Sequence, residues 1–129
     1  MNPDYIIECS IGTDGESQKI TSKILKSFPV RPDAFFASND MAAVGAMLVC
    51  KAEGLRIPED VGIVGFSNWQ FCTMIDPSLS SVSQPGSKIG AKVPEILLDM
   101  IEKKLDPEPI TDPVILETEL LIRKSSVRL

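Results

Sequence analysis

The sequence predicts an α/β fold, a mostly parallel sheet flanked by helices. Two continuous apolar runs, Ala34 to Ser38 and Val61 to Phe66, have the length and composition of strands buried on both faces. Helical periodicities lie before, between and after them, and alternation of strand with helix is the pattern of parallel sheets. No stretch repeats, and none is of low complexity.

Each element has its own signal. Tyr5 to Cys9 is a short β-prone run, closed by the turn-forming Gly12, Asp14 and Gly15. From about Glu16 to Ser27, Ile20, Ile24 and Leu25 recur at helical spacing among Lys19, Lys23 and Lys26. Pro29 and Pro32 break that pattern before the strand at Ala34. Asn39 and Asp40 stand where a helix N-cap belongs, and Gly54 supplies the C-terminal stop. Trp69 to Asp76 reads as irregular helical turns ended by Pro77, and Leu79 to Gln84 as an extended crossover. A long amphipathic helix is expected over Ser87 to Lys104, kinked at Pro94, since proline removes one hydrogen bond and clashes one turn back. The turn from Asp106 to Pro113 leads into a last alternating strand, Leu116 to Lys124.

Bulk properties narrow the function. The 129 residues fit one compact domain, and 43% hydrophobic content suffices for a core. A net charge of −5 gives no basic face for nucleic acid. Cys9, Cys50 and Cys72 are scattered and histidine is absent, which predicts buried thiols in a reducing cytoplasm, with no disulfide framework, metal or cofactor. No apolar stretch approaches the ~20 residues of a spanning helix, and the opening residues lack the pattern of a secretory leader. No phosphate loop or nucleophile elbow is present, and the paired carboxylates Glu59 and Asp60, in a loop leading into a strand, read as solvated surface, so an enzyme is not expected.

Ligands of open α/β sheets gather beyond the carboxyl ends of the strands. One predicted strand ends in Ser38-Asn39-Asp40 and the other in Ser67-Asn68-Trp69. These offer amides, hydroxyls and one aromatic plane, which suit a small neutral polyhydroxylated ligand. Capping by Asn39 and Asp40, and a simple turn at Ser67 and Asn68, are the competing structural roles. The helix after Asp40 carries no charged side chain from Met41 to Cys50, so it needs cover on both sides. A second layer of the chain or a second copy would supply it.

Three stretches carry a family resemblance: PDAFFASNDMAAVGAM, GLRIPEDVGIVGF and PSLSSVSQPGSKIGAKVPEILLDMI. In order and spacing they resemble the C-terminal part of LacI/GalR transcription regulators, and the second is the most specific. The resemblance implies the type I periplasmic-binding-protein fold, in which two subdomains clasp an effector. About 4–84 and 114–125 would be the C-terminal subdomain, and about 85–105 a crossover helix of the other, whose remainder is expected to be missing. That helix is then expected to pack atypically or to be covered by another chain. Asn39 matches an effector-bonding position and Gln84 a crossover residue near the pocket. Ser67 falls where the family usually has an aspartate that grips sugar hydroxyls, a contact that Asn68 or Trp69 would have to replace. Val44, Leu48, Phe71, Cys72 and Ile75 correspond to a dimer-forming surface. The implied protein is an allosteric homodimer that responds to a sugar and meets operator DNA only through a headpiece outside this chain. A sugar-binding component of an uptake system is the alternative.

Overall fold

The computed structural model describes residues 5–9, 15–102 and 113–128. Helix α1 is Glu16–Ser27, strand β1 Ala34–Phe36, helix α2 Asp40–Ala52, strand β2 Gly62–Phe66, strand β3 Ser80–Ser83, helix α3 Gly86–Glu102 and strand β4 Glu119–Leu121. A short 3-10 helix, Gln70–Thr73, separates β2 from β3. The sheet order is β1-β2-β3-β4, and both β1–β2 and β2–β3 are parallel. Val64 of β2 stands level with Phe36 of β1 and with Ser80 of β3. The expected α/β class with a mostly parallel sheet is therefore the observed one.

The chain divides into two compact units. One holds the described residues through Ser83 together with those from Leu120 onward, and the other those from Gln84 to Glu119. In the first, Ala43, Ala46, Met47 and Cys50 of α2 pack on Val61, Ile63, Cys72 and Leu79. Their spacing places one face of α2 on the sheet. Gly65 permits the close approach: a Cβ there would stand 2.3 Å from Asp40 Oδ1. Gly45, which lies on another face of α2, serves α1 in the same way, since a Cβ there would meet Ser17 Oγ at 2.1 Å. The helix without a wet face is thus covered by the sheet and by α1. A third stripe stays open: Met41 and Leu48 are more than half exposed, and Val44 is half-buried beside them.

Two expectations are corrected, and the long helix is found where it was expected. Tyr5 to Cys9 forms no strand; its residues are largely exposed, and Tyr5 stacks on Phe28 with ring centroids 5.7 Å apart. β-propensity forms no strand without a backbone ladder partner. The last strand is three residues long rather than nine, because from Arg123 onward the chain bonds to side chains and loops instead of a ladder. The long helix begins at Gly86 and continues through Pro94 as one element. None of its described residues is buried, and Val93, Leu97, Leu98 and Ile101 are more than half exposed. The turn residues Gly12 and Asp14, and the turn from Asp106 up to Pro113, lie outside the described residues.

Crowding at β2 generates a test. Gly65→Ala should lower unfolding free energy by about 2–3 kcal/mol in urea, because the new methyl overpacks the α2–β2 contact. Gly54→Ala, where a Cβ meets nothing within 4 Å, is strained only through its φ of 77° and should cost about 1 kcal/mol.

Candidate functional site at the carboxyl ends of the strands

β1 and β2 are parallel neighbours, so the segments that follow them leave the same edge of the sheet. Asn39 closes the first segment. Its Oδ1 accepts the Ala42 N–H at 2.8 Å, which makes it the N-cap of α2. Asp40 is the first residue of the helix and is only 1% exposed. Its carboxylate accepts the Trp69 N–H at 2.7 Å on Oδ2 and the Ser81 hydroxyl at 2.6 Å on Oδ1. One buried side chain therefore ties the first segment to the second and to β3. Its place in the first turn of α2 also sets its charge favourably against the helix dipole.

The second segment holds an unusual backbone. Ser67 has φ 105° and Asn68 φ 52°, both in the left-handed region that favours glycine. Two such residues in succession cost roughly 1–3 kcal/mol each and persist only where the surroundings impose them. The Ser67 N–H donates to Val82 O at 2.8 Å and the Asn68 N–H to Ser81 Oγ at 3.0 Å, while Asp40 holds the next N–H. Three consecutive amides are thus pinned.

Arg123 completes the support. One guanidinium nitrogen donates to Leu79 O at 2.6 Å and another to Asn68 Oδ1 at 2.7 Å. Asn68 Nδ2 faces Ser83 Oγ at 3.4 Å. Ser80, Ser125 and Ser126 knit the same C-terminal stretch beneath the sheet: Ser125 Oγ donates to Ile63 O at 2.6 Å and accepts the Ser80 N–H at 2.8 Å.

The sequence-derived residues separate accordingly. Asn39, Ser67, Asn68 and Trp69 belong to one unit and to one edge of its sheet, and Trp69 is 58% exposed. Gln84 follows β3 directly and opens the other unit. Of the expected interface residues, Leu48 is exposed, and Val44, Phe71 and Ile75 are half-buried. Cys72 is corrected: it is fully buried in the chain's own core. Met41 and Met74, 59% and 76% exposed, are the apolar surface that sequence reasoning missed. Their signal was helical register with Leu48 for one and an apolar loop position for the other. Asp40 itself showed as the one acidic residue of a helix that carries no other charge before Lys51.

Other chemistry is sparse. Among the described residues no group of three potential metal ligands gathers, and no helix is long and apolar enough to cross a membrane. A depression of about 490 Å³ at the amino ends of β2 and β3 has Ile57, Pro58, Glu59, Pro77, Arg123 and Lys124 in its lining; it shares Arg123 with the support of the strand-end loop but holds none of the candidate ligand residues. Burial pushes the Cys50 thiol up to about 11, and burial followed by the neighbouring Asp40 carboxylate does the same for Cys72.

Residues 6–126 match the family described as periplasmic binding protein-like domain. The chain is 37% identical over 116 residues to a probable HTH-type transcriptional repressor, ExuR, of Bacillus subtilis (strain 168), covering 90% of this chain and 34% of that protein. It is 39% identical over 112 residues to the ribose operon repressor of Halalkalibacterium halodurans, covering 86% and 32%. The crystal structure of a LacI family transcriptional regulator from Enterococcus faecium with bound ribose superposes with a TM-score of 0.71 at 31% identity, covering 88% of this chain and 40% of that one. The chain spans about a third of the length of the curated relatives it matches.

Two tests follow from the site. Ser67→Gly relieves the left-handed backbone and should raise unfolding free energy by about 0.5–1 kcal/mol in urea. Native Cys50 and Cys72 should resist a thiol reagent at pH 8 that labels them at once in urea. Because both folded values lie above the ordinary 9.0, their contribution to stability is complete below pH 9 and disappears as pH rises through about 11. Thermal melts should therefore fall on the alkaline side of pH 9. The chain belongs to the periplasmic binding protein-like domain family, and within it to the LacI-type effector-binding domains.

Proposed function

We propose that this chain is the effector-sensing and dimer-forming portion of a LacI-type transcription regulator of the cytoplasm, and that a sugar is its effector. The observation that carries this reading is the Asp40 latch. It brings Asn39 and the Ser67-Asn68-Trp69 loop to one sheet edge and pins the loop in a costly conformation. Strain held in this way is a mark of functional loops. Amides and hydroxyls beside an exposed indole are the equipment of sugar recognition, where polar groups orient the ligand and the ring face packs on its C–H surface. Related regulators of known structure hold ribose and sucrose.

The open stripe of α2, Met41, Val44 and Leu48, joins with the exposed Met74 as the surface for a second copy. Effector binding at the loop would bias the arrangement of the paired regulator, and with it the affinity of the DNA-reading part for its operator. Nothing in the proposal requires catalysis. DNA contact is assigned to sequence outside this chain, since its net charge is −5.

A screen of ribose, glucose and related sugars by titration of Trp69 fluorescence tests the sensing role. At least one should bind with a Kd of about 1 mM or weaker, about −4 kcal/mol, because one part of a two-part cleft supplies fewer contacts. Asn39→Ala should weaken that binding and also cost about 1 kcal/mol of stability through the lost cap. A chain that responds to no sugar rejects the sensing role. For assembly, Leu48→Glu should shift sedimentation toward monomer, and an unchanged profile rejects the α2 surface.

A further inference from the structure

The depression at the amino ends of β2 and β3 offers chemistry unlike that of the strand-end loop. Its wall is largely hydrocarbon: Ile57, Pro58, Pro77 and Val127 line it, and Pro58 is buried. Proline has no N–H, so its backbone gives a ligand only a carbonyl oxygen. That of Pro58 is already engaged, since it accepts the Arg128 Nε–H at 3.1 Å. Such a wall leaves the hydroxyls of a sugar short of partners and suits an apolar body. The volume of about 490 Å³ is that of a small-molecule pocket, for which roughly 300–1,000 Å³ is usual.

The charge in the lining is unbalanced. Two cations, Arg123 and Lys124, share it with one carboxylate, Glu59. Among the described residues no ion pair includes either cation. Arg128, which also reaches Pro58, differs from them in having Asp33 Oδ2 at 4.0 Å. The two guanidinium hydrogen bonds of Arg123 go to neutral oxygens, Leu79 O and Asn68 Oδ1. An apolar wall with a surplus of positive charge complements a molecule that has a hydrocarbon body and one carboxylate.

Arg123 also joins the depression to the loop. Its backbone is fixed at the start of β3, where its N–H donates to Ser80 Oγ at 2.7 Å. Its side chain holds Asn68, whose φ of 52° persists only because neighbouring groups impose it. A guanidinium bonds a carboxylate more strongly than an amide oxygen, so an anion at Arg123 competes with Asn68 for it. The loop then loses one of its restraints.

We propose that the depression is a second ligand site, taken by a small carboxylic acid with an apolar body, and that its occupancy loosens the Ser67–Trp69 loop through Arg123. The site does not depend on the sugar reading. Where the loop does sense a sugar, linkage makes the two ligands antagonists.

Amide NMR of the 129-residue chain tests this with 3-phenylpropanoate against its neutral counterpart 3-phenylpropanamide, at constant ionic strength with acetate as the salt control. The acid should give saturable shifts at Ile57, Glu59, Lys124 and Val127 and bind about tenfold more tightly than the amide. Lys124→Gln should weaken the acid about threefold and narrow that gap. At saturation the acid should also move the Asn68 amide and change Trp69 fluorescence. Asn68→Gly accepts φ 52° and gives Arg123 no side-chain oxygen, so it should bind the acid at least as well while its Trp69 response disappears. Shifts that are absent or that acetate reproduces, or equal affinity of acid and amide, would overturn the proposed ligand. A silent Trp69 on binding, or a response that survives Asn68→Gly, would overturn the coupling. Neither result touches the sugar-sensing role, which is read with no acid present.

Discussion

The buried Asp40 carboxylate, with donors from two other segments converging on it, is the constraint on which the strand-end site depends. Taking a carboxylate out of water is expensive unless its oxygens are hydrogen-bonded, and here the Trp69 amide and the Ser81 hydroxyl each hold one of them. Each donor is held because the carboxylate needs it. The fold satisfies the group by fixing the loop and β3 against the first turn of α2. Gly65 is part of the same arrangement, since any side chain there would occupy the carboxylate's place.

From that constraint the left-handed Ser67 and Asn68 become intelligible. A loop free to relax would not keep two such residues in succession; one pinned at three consecutive amides does. The consequence is a rigid edge whose polar groups point in set directions before any ligand arrives, which lowers the entropy cost of binding. Arg123 extends the rigidity to the C-terminal stretch, so the loop, the sheet and the end of the described chain form one bonded network.

Much of this was legible in the sequence, for definite reasons. α1 and the strand before Asn39 follow from periodicity and proline placement, and Asn39 from the chemistry of N-caps. The Ser67–Trp69 loop follows from where β2 had to end. The parts that were not legible depend on partners distant in sequence. Asp40 and Trp69 are 29 residues apart and Arg123 and Asn68 are 55 apart, and no local pattern announces either pair. Tyr5 to Cys9 had the residues of a strand but no ladder partner, and α3 had an apolar stripe with nothing buried against it. Local preference states what a segment is able to form, and only its partners decide whether it does. The misassignment of Cys72 has the same origin, since its side chain is buried in the core rather than at the surface.

Backbone and side-chain amide NMR of the chain during titration with a bound sugar would locate the site directly. The largest, saturable shifts should fall on Asn39, Ser67, Asn68 and the Trp69 indole, with the Asp40-held amide of Trp69 among them. Shifts confined to the depression at the amino ends of β2 and β3, around Pro58 and Lys124, would place the ligand at the wrong end of the sheet and contradict the account.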